Sequence, residues 1–144
     1  MRWLGLVVAA LSVQIASATE GGIPRFPDIG GDTVVFTAGG DLWTVPVAGG
    51  LARRLTTHPG VERFAKLSPD GQTIAYTAAY EGDSDVWVIP TRGGQPDRLT
   101  WHSVGWLDDV VWDWTADGER VLFGSRHQAV DYRCLLYTSD AADD

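Results

Sequence analysis

A block of sequence that occurs twice, 44 residues apart, constrains the fold of this chain more than any other feature. Each copy joins an Asp-x-Trp run to a Gly-Gly pair and an Arg-Leu-Thr run: Asp41–Pro46, Gly49-Gly50 and Arg54-Leu55-Thr56, then Asp85–Pro90, Gly93-Gly94 and Arg98-Leu99-Thr100. Order, spacing and chemistry all recur. Such self-similarity is typical of a repeat architecture, in which each unit buries its apolar face against its neighbours.

A second recurring unit lies upstream of each block and reads as a turn followed by a strand. Its three copies start at Asp32-Thr33, Asp70-Gly71 and Asp117-Gly118. In the second copy, Pro69 sets φ near −65° and Gly71 tolerates positive φ, so we expect a tight turn into a strand over residues 73–78. Residues 86–89 are β-branched or aromatic and predict the next strand, which Pro90 closes.

Short strands with a period near 44 residues predict an all-β fold, a β-propeller built from four-stranded blades of about 40–50 residues each. Helical solenoids need a 3.6-residue period, which no stretch of the chain provides. A ring needs about 4–8 blades. We therefore expect about two and a half blades of an incomplete ring, with units near residues 23–62, 63–107 and 108–133.

The first 18 residues have the pattern of a secretory signal peptide. Arg2 is followed by an apolar run, and Ala16-Ser17-Ala18 forms a small-x-small cleavage motif. A membrane anchor would need about 20 apolar residues, and Ser12 and Gln14 interrupt the run before that. We expect cleavage after Ala18 and a secreted or periplasmic mature protein that is not membrane-bound.

Residues 134–144 resemble the translation of a transposase-type sequencing adaptor, and we expect them not to be native. The sequence shows neither a strand period nor a helical period there, and the competing interpretation is a natural acidic tail. The segment contains Cys134, the one cysteine of the chain. We therefore expect neither a disulfide nor thiol chemistry in the folded part.

The acidic composition argues against two classes of partner. Eleven Lys and Arg residues face nineteen Asp and Glu residues, which gives a formal net charge of −8. The sequence has no basic stripe for a phosphate backbone or an anionic membrane. We expect no nucleic-acid partner.

The sequence gives little support for a catalytic or metal-binding site. His58 and His102 recur with the repeat, which explains their spacing without a metal, and the loop at Asp83-Ser84-Asp85 lacks the further ligands of a calcium site. Ser84 has no Gly-x-Ser-x-Gly context and is interpreted as a turn residue. Asp41 and Asp85 are expected to cap loops through backbone amides. The sequence therefore predicts no catalytic residue, no metal and no cofactor.

Four tryptophans cluster within fourteen residues around the boundary between the second and third units: Trp101, Trp106, Trp112 and Trp114. Two interpretations remain for this cluster. Aromatic side chains are enriched at recognition surfaces, so the cluster could line a peptide channel. Packing between blades is the favoured interpretation.

The repeats resemble periplasmic propeller repeats of the TolB type through Ser68-Pro69-Asp70-Gly71, Asp85-Val86-Trp87 and Gly93-Gly94. They are more closely similar to the N-terminal propeller of tricorn-type serine peptidases. That resemblance extends over about residues 23–126 and is carried by Pro24-Arg25-Phe26-Pro27-Asp28-Ile29, Gly40-Asp41-Leu42-Trp43, Ala52-Arg53-Arg54-Leu55-Thr56 and His58-Pro59-Gly60.

The tricorn resemblance implies a multidomain serine peptidase whose catalytic machinery lies downstream of this chain, and the signal-peptide pattern adds that it is exported. The propeller would then gate or dock peptide substrates and serve as a scaffold for the downstream blades and catalytic domains. Homo-oligomerisation of the parent is left open. Two alternatives remain: a non-catalytic TolB-like propeller that binds proteins, and the propeller of another hydrolase, of prolyl-oligopeptidase or amidohydrolase type.

Overall fold

A computed structural model describes residues 22–101 and 109–126, together with the backbone of residues 133–137. The predicted signal peptide, His102, Trp106 and His127 lie outside these residues, as do residues 138–144. The described residues form eleven strands: β1 (Arg25–Gly30), β2 (Thr33–Ala38), β3 (Asp41–Pro46), β4 (Arg53–Arg54), β5 (Glu62–Leu67), β6 (Thr73–Ala78), β7 (Asp85–Pro90), β8 (Asp97–Arg98), β9 (Val110–Trp114), β10 (Val121–Ser125) and β11 (Arg133–Tyr137). No helix of these residues is long and apolar enough to cross a membrane.

The strands form three antiparallel sheets in chain order. Strands β1–β4 make blade 1, β5–β8 make blade 2 and β9–β11 make blade 3. The strand predicted over residues 73–78 is β6, and the one predicted over 86–89 lies within β7. The all-β fold with about two and a half propeller blades is confirmed.

Strand β11 departs from the sequence-based expectation, which placed no element from residue 134 onward. Arg133–Tyr137 pairs along the whole of β10, from Ser125 opposite Arg133 to Val121 opposite Tyr137. The prediction of no element was wrong because a segment can pair with the free edge of β10 without an alternating pattern of its own. The adaptor origin of residues 134–144 stays a prediction.

The turn before the second strand of a blade has the same hydrogen bonds in blades 2 and 3. Asp70 accepts from the Ser68 hydroxyl at 2.6 Å and from the amide of Gln72. Asp117 accepts from the Thr115 hydroxyl at 2.5 Å and from the amide of Glu119. In each case the pKa of the aspartate is lowered, and the hydrogen bond from the hydroxyl is the largest cause. Blade 3 therefore makes the turn although it has Ala116 where blade 2 has Pro69.

Blades 1 and 2 share a second repeated set of contacts, between their third and fourth strands. Asp41 pairs with Arg54 and Asp85 pairs with Arg98, both at 2.6 Å. The amides of Leu42 and Val86, the next residues along the chain, donate to the hydroxyls of the repeat threonines, Thr56 and Thr100.

The expectation that Asp41 caps a loop through backbone amides was wrong. Its Oδ2 accepts from Arg54, and its Oδ1 has no hydrogen-bond partner among the described residues. Thr56 performs the capping instead, since its hydroxyl accepts from the amide of Leu42 at 2.9 Å.

The hydrophobic core lies between neighbouring blades, as expected for stacked repeats. One cluster joins blades 1 and 2 and includes Val35, Leu42 and Tyr76, and another joins blades 2 and 3 and includes Val86 and Phe123. The first strands of the three blades lie side by side, as the contacts of β1 with β5 and of β5 with β9 show. These strands are therefore the innermost strands of the blades.

Candidate functional site

The innermost strands of blades 1 and 2 each contain a phenylalanine in a left-handed backbone conformation. Phe26 has φ of 52° and Phe64 has φ of 55°, and no other described residue except glycine has positive φ. Each lies where the register of its strand shifts against the second strand, which marks a β-bulge. A bulky side chain in this region costs of order 1–3 kcal/mol, and such strain concentrates at functional sites.

The innermost strand of blade 3 bulges at the corresponding place and carries a tryptophan. Val111 pairs with Phe123 and Asp113 with Leu122, so Trp112 is the extra residue. Its indole covers Gly124 so closely that a Cβ there would lie 2.5 Å from the ring. Glycine at this position therefore gives the indole the space it occupies.

The three bulges place their aromatic side chains along one open cleft. We call Phe26, Phe64 and Trp112 the inner ledge. The rings of Phe26 and Phe64 are 4.6 Å apart between centroids. All three side chains line a cleft of about 410 Å³ that extends across the three blades. Phe26 is 37% exposed and Trp112 is 42% exposed, so the ledge presents apolar surface to solvent.

Polar contacts between the innermost strands fix the ledge in place. Asp28 of β1 accepts from Lys66 at 3.0 Å and from the amide of Leu67 at 2.9 Å. The indole of Trp114 on β9 donates to the carbonyl of Lys66 at 2.9 Å. These bonds connect blade 1 to blade 2 and blade 2 to blade 3, so the three aromatic residues are held by rigid strands.

The described lining of the cleft has the apolar character of a ligand-binding surface but offers no group for catalytic chemistry. Among the described residues, its lining is aromatic and aliphatic apart from the ammonium of Lys66 and includes no serine, cysteine, histidine or carboxylate. The guanidinium of Arg63 lies 5.8 Å from the centre of the Phe64 ring, a cation–π contact at the edge of the ledge. Apolar side chains of a ligand are what such a surface accommodates.

The tryptophans of the predicted cluster lie in different environments. Trp114 packs between blades, as favoured by the sequence analysis. That interpretation was wrong for Trp112, because the bulge turns its side chain away from the sheet core and into the cleft. Trp101 is 62% exposed and does not line the cleft.

The remaining candidates have structural surroundings. His58 accepts from the amide of Gly60 at 3.0 Å and its ring stacks on Tyr80. Ser84 is buried in the loop before β7, where its carbonyl accepts from the amide of Asp109. Among the described residues no three His, Cys, Asp or Glu side chains cluster closely enough to hold a metal ion.

Sequence reasoning missed Phe26 and Phe64, although the sequence contains a signal for them. An Arg-Phe pair recurs as Arg25-Phe26 and Arg63-Phe64, at the beginning of the first two units. The recurrence points to equivalent positions, but the bulge and the positive φ at the two phenylalanines depend on strand pairing and cannot be read from the pair itself.

Consecutive antiparallel sheets whose first strands lie side by side define a β-propeller. The family model for the tricorn protease N-terminal β-propeller domain matches residues 22–141. The chain belongs to this family.

A relative and two solved structures illustrate the similarity. The chain is 38% identical over 58 residues to tricorn protease homolog 1 of Streptomyces coelicolor, a match that covers 40% of this chain and 5% of the relative. The crystal structure of the tricorn protease matches 72% of this chain and 11% of its own, with a TM-score of 0.59 and 26% identity. TolB from Acinetobacter baumannii matches 82% of this chain and 30% of its own, with a TM-score of 0.66. At 16% identity, the TolB match shows the fold alone.

Proposed function

We propose that this chain is the N-terminal propeller portion of an exported tricorn-like serine peptidase and that its inner ledge contacts peptides on their way to or from the active site. The observation that carries the proposal is the ledge itself. Three aromatic side chains, of which Phe26 and Trp112 are exposed and Phe64 is half-buried, lie on the innermost strands of three successive blades and line one cleft. In a closed ring, innermost strands surround the central channel.

The chemistry of the ledge suits docking and gating. Aromatic faces accept apolar side chains of many shapes, so contact with them does not demand one peptide sequence. The exposed area is small, and the resulting affinity is low enough for a peptide to leave again. The strained bulges hold the rings in place before a peptide arrives, which reduces the ordering cost of binding.

Catalysis belongs, in this proposal, to other parts of a longer protein. The match covers 5% of the Streptomyces coelicolor relative, and the described residues that line the cleft include no catalytic nucleophile paired with a base. The peptide substrates, the downstream blades and the catalytic domains are therefore the proposed partners of this propeller. In this proposal the downstream blades complete the ring, so that the ledge lies at its central channel.

A peptide titration with ledge variants tests the docking role. The probe is a blocked, uncharged pentapeptide with a central phenylalanine, and a Gly-Ser peptide of equal length is the reference. We expect Trp112→Ala to weaken binding of the phenylalanine peptide by about fivefold, since a buried aromatic contact contributes about 1 kcal/mol.

The matched control is Trp101→Ala, which removes an exposed tryptophan outside the cleft. It should leave the affinity unchanged. Docking at the ledge is refuted if the two variants weaken binding equally, or if the Gly-Ser peptide binds as well as the phenylalanine peptide.

Export is a separate part of the proposal and has its own test. We infer that residues 1–18 direct secretion or periplasmic delivery, on the strength of Arg2, the apolar run and Ala16-Ser17-Ala18. N-terminal sequencing of exported protein should begin at Thr19. Accumulation of uncleaved chain beginning at Met1 in the cytoplasm would contradict it.

A further inference from the structure

A second cleft, separate from the ledge, lies between blades 1 and 2. Its volume is about 500 Å³. Its walls come from the connection after β4, the loop between β6 and β7, strand β7 and the turn before β8; among them are His58, Tyr80, Glu81, Trp87 and Gln95. We call it the interblade cleft. It shares no residue with the cleft that contains the ledge.

The interblade cleft depends on a loop that blade 1 lacks. In blade 1 the hairpin between the second and third strands turns through two residues, Gly39-Gly40. In blade 2 six residues, 79–84, separate Ala78 from its partner Asp85. The longer loop carries Tyr80 and Glu81 into the cleft. The repeat itself therefore does not require these two side chains.

Three aromatic rings stand in a row along the cleft. The ring of Tyr80 lies 4.0 Å from that of His58 and 4.8 Å from that of Trp87. Hydrogen bonds fix Tyr80, since its hydroxyl contacts Glu62 at 2.5 Å and Tyr76 at 3.1 Å. Burial raises the pKa of Tyr80, so its phenol stays neutral across the physiological range. Preorganised aromatic rings attract cations through their faces.

Among the described residues beside the interblade cleft, the carboxylates of Glu81, Asp85 and Asp97 outnumber the guanidinium of Arg98, so the net charge there is negative. Arg98 also lies over the ring of Trp87, 5.8 Å from its centroid. Glu81 is 68% exposed at the side chain, and one of its oxygens holds Arg98 at 2.6 Å. Its other oxygen, Oε1, has no partner among the described residues. Asp97 lies near enough to contribute, after burial, to the raised pKa of Tyr76. Among the described residues that line the cleft there is no lysine or arginine, and Arg98 reaches it only through its contacts with Glu81 and Trp87.

We propose that the interblade cleft binds the basic side chain of a peptide, with the cation placed against Tyr80 and beside the free oxygen of Glu81. Aromatic faces together with a carboxylate complement a guanidinium or ammonium group both in shape and in charge. The net charge of −8 adds long-range attraction for a cationic peptide. The proposal rests on the proposed function only in taking a peptide as the occupant.

A titration of the full chain with blocked amino acids tests this site. The probes are N-acetyl-arginine amide and N-acetyl-citrulline amide, which have nearly the same shape and differ in charge. The readout is the ring resonances of Tyr80 in an NMR spectrum. We expect saturable binding of the arginine amide, about tenfold tighter than that of the citrulline amide, since charge supplies most of the attraction.

Two variants localise the effect. Glu81→Gln should weaken the arginine amide about threefold while leaving the citrulline amide unchanged. The matched control is Glu119→Gln, an exposed carboxylate in the turn of blade 3, and it should change neither affinity. Tyr80→Phe keeps the ring and should keep binding, whereas Tyr80→Ser should abolish it, with a melting curve to confirm that each variant folds.

Equal binding of the two amides, or equal effects of Glu81→Gln and Glu119→Gln, would overturn the proposal. Its failure is distinguishable from failure of the docking role. Trp112→Ala should leave the arginine amide unaffected, and Glu81→Gln should leave the uncharged phenylalanine peptide unaffected.

Discussion

Blades 1 and 2 are built on the same contacts and differ in one hairpin. Both have an Asp–Arg pair and a threonine cap between their third and fourth strands. In blade 1 the indole of Trp43 donates to the carbonyl of Ala38 at the end of a two-residue turn. In blade 2 the indole nitrogen of Trp87 is buried without a partner among the described residues, and its ring packs on Tyr80 of the longer loop. The repeated residues specify the blade, and the inserted ones create a binding surface.

The largest expected effect is a difference in stability loss between the two Asp–Arg pairs, which differ in burial. Arg98 and Asp85 are 15% and 2% exposed at the side chain, whereas Arg54 and Asp41 are 47% and 9% exposed. Removing one partner of a buried pair costs about 3–5 kcal/mol, and the cost is smaller where one partner is half-exposed, as Arg54 is. Denaturant unfolding of Arg98→Met and Arg54→Met should show this difference. Equal losses would mean that burial does not distinguish the blades.

The next effect concerns the point where the longer loop contacts blade 1. A Cβ on Gly60 would lie 2.3 Å from the carbonyl oxygen of Ala79. Because backbone cannot move aside as a side chain can, Gly60→Ala should cost about 2–3 kcal/mol of unfolding free energy. Replacing residues 79–84 by Gly-Gly, the turn of blade 1, removes Ala79 together with the loop that positions its carbonyl. If the clash is the cause, the shortened chain should tolerate Gly60→Ala; an undiminished loss there would rule it out.

A smaller effect is expected at the ledge of blade 3. Gly124→Ala pushes a Cβ to within 2.5 Å of the Trp112 indole, which must then rotate away. We expect a loss of about 1 kcal/mol of stability, because an exposed ring has room to move. Affinity for the phenylalanine peptide should fall as it does for Trp112→Ala. Intact peptide binding in Gly124→Ala would separate the indole position from docking.

The smallest effect is a pH dependence at the joint between blades 1 and 2. Glu62 is fully buried and accepts from Thr56, Tyr80 and the amide of Leu42. Burial nevertheless raises the pKa of Glu62 above its ordinary 4.5. When a carboxyl binds its proton more tightly in the folded state, the free energy of unfolding of the protein falls as the pH rises from the unfolded-state pKa through the folded-state pKa.

The comparison with Glu62→Gln isolates this carboxyl. The unfolding free energy of the wild type, measured relative to the variant, should decrease as the pH rises above 4.5 and then level off. A relative stability that increases over this range would show that the hydrogen bonds outweigh the burial.

The regular parts of the fold follow from the sequence, and the bulges do not. Pro69-Asp70-Gly71 and the Val86–Ile89 run carry local signals that suffice to predict a turn and a strand. Phe26, Phe64 and Trp112 face the cleft because an extra residue enters the ladder there, and that depends on pairing with another strand. Strand β11 was missed for the same reason. Tyr80 was missed because its role depends on rings contributed by His58 and Trp87.

Locating a bound peptide on the propeller is the most direct test of peptide contact with the innermost strands. The phenylalanine peptide would carry a spin label, and paramagnetic broadening would be measured for the backbone amides of the full chain. We predict strong broadening at Phe26, Phe64 and Trp112 and none at the outer strands β4 and β8. Broadening centred on β4 or β8, with the amides of the ledge unaffected, would contradict the proposed docking role.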